Sequence, residues 1–174
     1  DWSEDDFSTL DFYDLFDIFY HQIYGKEVPY EPSDNLGVGT VYQIPKVEFE
    51  HIMMAYLNID SETLQQKTLY HTDTRTYEYR PRGFYEAEYP EHPYPEVVDY
   101  TENADGTITL LVNVVFPYEG LSKVFSHEVV VRPLENDGVQ YVSNHVIPSE
   151  DNIEESWYKP RLTLAEWAEV YGAE

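Results

Sequence analysis

Two histidines and a glutamate towards the C-terminal end of the chain have side chains that could support catalysis or metal binding. His127 and Glu128 fall in one run of residues typical of a β-strand, and His145 falls in the next. An imidazole can act as an acid, a base or a metal ligand. A shared site requires adjacent strands to carry both histidines on one face. The alternative is a histidine at the edge of the core, bonded to a neighbouring serine or tyrosine. A third ligand is not visible in the sequence, so we predict no metal ion and assign no catalytic residue.

A second candidate is a set of aromatic residues around a proline-rich stretch. Planar rings stack on sugar faces and on the prolines of peptides, so their chemistry favours binding over catalysis. The set consists of Tyr77, Tyr79, Phe84, Tyr85, Tyr89 and Tyr94. The alternative, which we favour for the rings themselves, is that they seal the open side of a curved sheet. The segment is nevertheless the best indication of function in the sequence.

Two acidic groups contain the oxygen ligands that calcium prefers. The first comprises Asp99, Glu102, Asn103 and Asp105, and the second Glu150, Asp151, Asn152 and Glu154. Turns and acidic linkers use the same residues, so we expect no specific calcium site. The sequence has no phosphate-binding loop, dinucleotide-binding motif, serine-hydrolase elbow or helical zinc motif, and we predict no cofactor.

Charge and composition restrict the classes of partner. The net charge is −24, from ten basic and 34 acidic residues. Nucleic acids and anionic lipids attract basic surfaces, so we predict neither as a partner. There is no cysteine, and no apolar run is long enough to span a membrane. The chain opens at Asp1 without a signal peptide. We expect a targeting segment upstream and a protein that is secreted or anchored at the cell surface.

The elements that must position these residues can be predicted from periodicity. Apolar residues at helical spacing predict helices over residues 7–24 and 46–57, with a further turn to about residue 66. Thr163 and Glu166 fit the capping box of a last helix. A hairpin is predicted over residues 69–79. Three arginines close to this hairpin are expected to pair with carboxylates inside the protein rather than with phosphate. They are Arg75, Arg80 and Arg82.

Three long runs of alternating apolar residues predict an antiparallel meander. They are Thr107–Phe116, Val124–Leu134 and Val139–Ile147, with turn residues between them. We expect an α+β fold in which a curved antiparallel sheet, ending in this meander, packs against N-terminal helices. We predict one domain over residues 1–148, with residues 149–174 forming an acidic linker and a C-terminal helix that docks on it.

These strands are similar to the NTF2-like and cystatin-like group of α+β folds. The resemblance implies a curved sheet that wraps a helix and leaves a cone-shaped pocket. The pieces IPKVEFEHIMMAYLNID, TLYHTDTRTYEY and VQYVSNHVI also resemble uncharacterised secreted or lipid-anchored proteins of Gram-positive gut bacteria. Neither resemblance implies an activity, because the group includes both enzymes and binding domains.

Three functions remain open at this stage. The first is a non-catalytic extracellular module that binds a glycan or a peptide through its aromatic, proline-rich surface. The second is an NTF2-like pocket enzyme with His127 or His145 as its acid or base. The third is a structural spacer domain. We favour the first.

Overall fold

The computed structural model describes residues 1–29, 39–82, 93–117, 120–135, 138–153 and 160–172. In chain order the elements are β1 (Trp2–Ser3), α1 (Phe12–Tyr24), β2 (Tyr42–Pro45), α2 (Lys46–Tyr56), α3 (Ser61–Lys67), β3 (Tyr70–His71), β4 (Thr76–Tyr79), β5 (Tyr94–Glu102), β6 (Ile108–Phe116), β7 (Leu121–Pro133), β8 (Val139–Ile147) and α4 (Leu164–Tyr171). The predicted α+β class is therefore confirmed.

Strands β5 to β8 form the main sheet together with the short N-terminal strand. The order is β1-β8-β7-β6-β5, and every neighbouring pair is antiparallel. The predicted meander is confirmed as β6, β7 and β8. The hairpin between β5 and β6 turns at Gly106, whose φ of 85° is readily adopted only by a residue without a Cβ atom. The smaller sheet has the order β2-β4-β3.

The acidic N-terminus forms a strand where the sequence predicts only the approach to a helix. Trp2 and Ser3 pair with Asn144 and Ser143 of β8. The backbone N–H of Glu4 donates to the Val142 carbonyl at 2.7 Å. Helix α1 begins only at Phe12. Two residues cannot show a strand period, so tertiary pairing determines this element.

The contacts between Cα atoms group the chain into two compact units. The sheet unit contains residues 1–11, 54–59 and 91–157, and the helix unit contains residues 12–53, 60–90 and 158–174. The predicted boundary at residue 148 stays a prediction.

Aromatic rings form the core of the helix unit. Phe16 of α1 stacks on Phe49 at 5.0 Å between ring centroids, and Phe49 stacks on Tyr77 of β4 at 4.4 Å. Phe16 also meets Tyr79 edge-on at 5.9 Å. These four rings are at most 1% exposed. Helix α1 thus packs through its apolar stripe against β4, because burying that stripe removes a large aromatic area from water.

The helix boundaries follow local capping chemistry. Asp60 caps α3 by accepting a hydrogen bond from the Thr63 backbone at 2.8 Å. Thr163 and Glu166 form the predicted capping box of α4, and each side chain accepts a hydrogen bond from the other residue's backbone N–H. Both caps satisfy backbone donors that a helix leaves without an internal partner.

Candidate functional site

The strand register decides whether the two histidines can share a site. His127 lies opposite Val146, whereas His145 lies opposite Glu128. Residues directly opposite each other point to the same face of a sheet, and successive residues along a strand point to opposite faces. His127 and His145 therefore lie on opposite faces. The alternative of a metal or acid–base site shared by the two histidines is therefore not supported, because their side chains point away from each other across the sheet.

His127 lies on the more apolar face of the sheet. Its ring meets the Phe125 ring edge-on at 4.9 Å between centroids. In the described part of the chain, its Nδ1 atom and the Oδ1 atom of Asn144 are buried without a hydrogen-bond partner. Burial lowers the pKa of His127, although the neighbouring Asn144 side chain raises it. Burial thus favours the neutral form of this imidazole, which is a half-buried side chain of the sheet.

Glu128 and His145 are direct cross-strand neighbours on the other face, and both are exposed. Their face carries both apolar and polar side chains, with Leu111 opposite Glu128 and Ile147 opposite Ser126. Ser126 donates to the Asn113 side-chain oxygen at 2.7 Å. Two exposed side chains on the face of a sheet do not form the enclosed pocket that an acid–base pair of this kind requires. This pair consequently gives no support to the pocket-enzyme hypothesis.

The aromatic set separates into buried, exposed and undescribed members. Tyr77 is 0% and Tyr79 is 1% exposed. This corrects their assignment to a ligand-binding platform, because a ring without an accessible face cannot stack on a ligand. Tyr94, in contrast, is 51% exposed. The other three members, Phe84, Tyr85 and Tyr89, lie outside the described residues.

The buried tyrosines donate to carboxylates that lie next to the core. The Tyr77 hydroxyl donates to Glu50 and the Tyr79 hydroxyl to Asp17, each at 2.7 Å. Burial raises the pKa of both phenols, and these carboxylates raise it further. Both hydroxyls therefore stay protonated and act as donors that fix the core.

The sequence does not predict the charged cluster of the helix unit, which consists of Asp14, Asp17, Arg82 and Arg161. Asp14 and Asp17 lie on one face of α1, three residues apart. Arg161 donates to Asp14 at 2.6 Å and forms a second short contact with Asp17. Arg82 donates to both Asp14 oxygens, at 3.1 and 2.6 Å. The sequence gives no signal for a pair such as Asp17 and Arg161, which are 144 positions apart.

Two of the three arginines near the hairpin pair as predicted. Arg82 pairs with Asp14, and the guanidinium of Arg80 lies 2.5 Å from Glu78. Arg80 also lies 5.7 Å from the centroid of the Trp167 ring of α4. Arg75 instead has a positive φ of 56° in the loop between β3 and β4. The charged cluster thus holds α1, β4 and the segment around Arg161 together by charge-assisted hydrogen bonds.

The first acidic group serves the turn between β5 and β6. One Asp105 oxygen accepts hydrogen bonds from the backbone and the hydroxyl of Thr107, at 3.0 and 2.7 Å. Asn103 donates to Thr107 and Thr109, each at 2.9 Å. In the second group, Asn152 donates to the Ile147 carbonyl at 3.0 Å, and Glu154 lies outside the described residues. Within the described ranges, no cluster of three or more histidines and carboxylates has the geometry of a metal site.

Strand β5 is the most exposed element of the main sheet. It occupies the end of the strand order, and each of its nine residues is exposed. Besides Tyr94, the exposed fractions are 57% for Val97, 46% for Val98 and 63% for Tyr100. None of the described strands pairs with the outer side of β5, where an edge strand presents backbone N–H and C=O groups. This β5 edge, Tyr94–Glu102, combines those groups with large apolar side chains.

The two faces of β5 differ in chemistry. Glu96 and Asp99 lie on one face together with Tyr94, and Val97 and Tyr100 lie on the other together with Glu102 at the end of the strand. Asn113 and Leu111, on one face of β6, lie opposite Glu96 and Asp99. Val112 and Leu110, on the other face, lie opposite Val97 and Tyr100. A shift between Val97 and Asp99 places Val98 in a bulge. The edge position depends on strand order, and the sequence offers only Pro95 and the carboxylates of this segment as local features typical of an edge strand.

The comparisons with known proteins identify a family but no activity. A family model described as "Family of unknown function (DUF6070)" matches residues 1–161, so the chain belongs to that family. No curated protein and no solved structure matches the chain. None of the described helices is both long enough and apolar enough to cross a membrane.

Proposed function

We propose that this member of the family is a non-catalytic binding module that acts outside the cell, secreted or anchored at its surface. We further propose that its ligand, a peptide or a glycan, binds along the β5 edge. The observation that carries this proposal is the exposure of β5 along its whole length. The resemblance to secreted and lipid-anchored proteins supports the location.

Exposed apolar area and an outer edge that pairs with no described strand are the two features that favour binding here, although the Tyr100 N–H already donates to the Asp99 side chain at 2.8 Å. Burying apolar area contributes roughly 25 cal/mol per Å², and a bound strand would pair the backbone groups. Tyr94 and Tyr100 offer rings that can also stack on a sugar. In the proposal, the aromatic surface is thus centred on β5, and Tyr94 is the residue shared with the predicted platform.

Pro95, the bulge at Val98 and the carboxylates of β5 also have a protective role. Natural edge strands use prolines, bulges and charges to prevent pairing between identical sheets. These features keep the β5 edge from associating with a second acidic copy. The carboxylates do not repel a basic ligand, whereas Pro95 and the bulge restrict backbone pairing at their own positions with any partner.

The test is a peptide and glycan array probed with matched variants. The Val97→Ser/Tyr100→Ser variant removes two exposed apolar side chains from β5. The control, Val47→Ser/Tyr24→Ser, removes the same types from the helix unit, where Val47 is 77% and Tyr24 is 46% exposed. We expect ligands of the unmodified protein to be lost by the first variant and retained by the second. Equal binding by both variants would contradict the proposal.

A further inference from the structure

The charge around β5 indicates which kind of ligand its edge accepts. Glu96, Asp99 and Glu102 are carried by β5 itself, and all three are exposed. The sequence contains no lysine or arginine between Arg82 and Lys123. The carboxylates of β5 therefore have no basic neighbour on the same hairpin, and the net charge of −24 adds to the negative potential.

The arrangement of side chains on β5 sets the pattern of a complementary strand. Side chains of paired strands meet on the same face, so each face of β5 selects its own residues in a partner. The face with Glu96 and Asp99 attracts basic side chains. In the middle of the strand, before Glu102 on the same face, the face with Val97 and Tyr100 favours apolar side chains. A partner strand must consequently alternate between the two types.

We infer that the β5 edge binds an extended polypeptide segment in which basic and apolar residues alternate, and that this segment adds to the sheet as a sixth strand. The inference rests on the proposed function and names its ligand. Backbone hydrogen bonds to β5 hold the segment, and its alternating side chains give specificity. A second copy of this chain is disfavoured, because its β5 carries the same carboxylates and its net charge is equally negative.

The pattern can be tested on the unmodified protein with synthetic peptides. The probe is a peptide of about eight residues that alternates lysine and valine, a typical strand length. The first control has the same composition with all lysines before all valines. The second has the alternating order with every other backbone amide N-methylated. Titration calorimetry should give a dissociation constant at least about tenfold lower for the probe than for either control, a difference of 1.4 kcal/mol.

Reversing the charge of β5 should change the preferred peptide from a basic one to an acidic one. In the Glu96→Lys/Asp99→Lys variant we expect binding of the lysine–valine peptide to be lost and binding of a glutamate–valine peptide to appear. The matched control is Glu150→Lys/Asp151→Lys, which makes the same change in charge at an exposed acidic run of the same unit. It should keep the original preference within about twofold. Circular dichroism checks that both variants are folded.

The outcomes separate this inference from the proposed function. Equal affinity for the alternating and blocked peptides would indicate attraction by charge alone and overturn the inference. Loss of binding in both charge variants would overturn it as well. Dimerisation through β5, detected by sedimentation and abolished by Glu96→Lys, would identify a second copy as the partner. If array ligands depend on β5 but the lysine–valine peptide does not bind, the inference fails and the proposed function stands. If no ligand depends on β5, both fail.

Discussion

The carboxylate of Asp17 is an ionisable group that lies beside the core of the helix unit. It accepts a hydrogen bond from the Tyr79 hydroxyl and contacts the guanidinium of Arg161. Burial raises the pKa of Asp17 to about 6, although Arg161 and Tyr79 lower it and the Asp14 charge raises it further. The removal of this carboxylate from water therefore outweighs the stabilisation by its partners.

This shift makes the contribution of Asp17 to stability depend on pH. The ordinary value is 3.8, so between pH 3.8 and about 6 the folded state binds more protons than the unfolded state. The free energy of unfolding due to Asp17 should therefore rise as the pH falls through this window. When the pH is lowered from 7 to 4, we expect the free energy of unfolding of wild type to rise by about 2 kcal/mol relative to that of Asp17→Asn, as measured by urea unfolding.

The control for Asp17 is an exposed aspartate in the loop between β3 and β4. Asp73→Asn removes one carboxylate from this loop without touching the charged cluster. Over the same pH range, the free energy of unfolding of wild type should rise much less relative to Asp73→Asn than relative to Asp17→Asn. A difference between wild type and Asp17→Asn that stays constant from pH 7 to pH 4 would show that burial does not govern this group.

Some elements form because of residues that are close in the sequence, and others form because of residues that are far apart in the chain. Helix α4 has a complete capping box in consecutive sequence, so its start was predictable at Thr163. Strand β1 depends on β8 and on the ion pair between Glu4 and Arg132, whose atoms approach to 2.7 and 3.0 Å. Those partners are 128 positions apart, so no local pattern marks them.

The capping box predicts a local effect of mutation in α4. Thr163→Ala removes the side-chain acceptor for the Glu166 backbone N–H and should destabilise the helix by about 1 kcal/mol. Exchange of the α4 backbone amides with deuterium should become about fivefold faster.

Thr163→Ser keeps the hydroxyl and serves as the matched control for the cap. We expect its exchange rates to stay close to those of wild type. If serine and alanine accelerate exchange equally, the hydroxyl does not stabilise α4 and the effect belongs to the lost methyl group.

For the whole molecule, the net charge of −24 has opposing effects on binding. It disfavours nucleic acids and anionic surfaces, and it keeps identical acidic edges apart. The same charge attracts cationic ligands and accelerates their association at low salt. In the proposal, the net charge therefore limits the class of partner, and the register of β5 sets the residue pattern that a bound strand would need.

The proposed location is a property of the whole molecule and is tested in cells. Proteinase K added to intact producing cells should degrade the protein, because a secreted or surface-anchored chain is accessible from outside. A cytosolic protein of the same cells, which must remain intact, is the control. Protection of the chain until the cells are lysed would contradict the proposed location.

The sequence by itself determined the α+β class, the meander, the capped helices and the absence of cysteine chemistry. Periodicity and capping are local properties, so consecutive residues such as those of β6 or Thr163 to Glu166 are enough to predict them. The sequence also determined the charge balance that restricts the partner. All of these features can be read over short distances along the chain.

Only the tertiary structure decided which predicted residues meet. A register difference of one residue places His127 and His145 on opposite faces, because the side-chain period of a strand is two. Packing buries Tyr79 against Phe16 of α1 and Tyr77 against Phe49 of α2, and the order of the described strands leaves β5 at the edge. Register, burial and edge position all depend on pairing between residues far apart in the chain, so the candidate site emerged only from the fold.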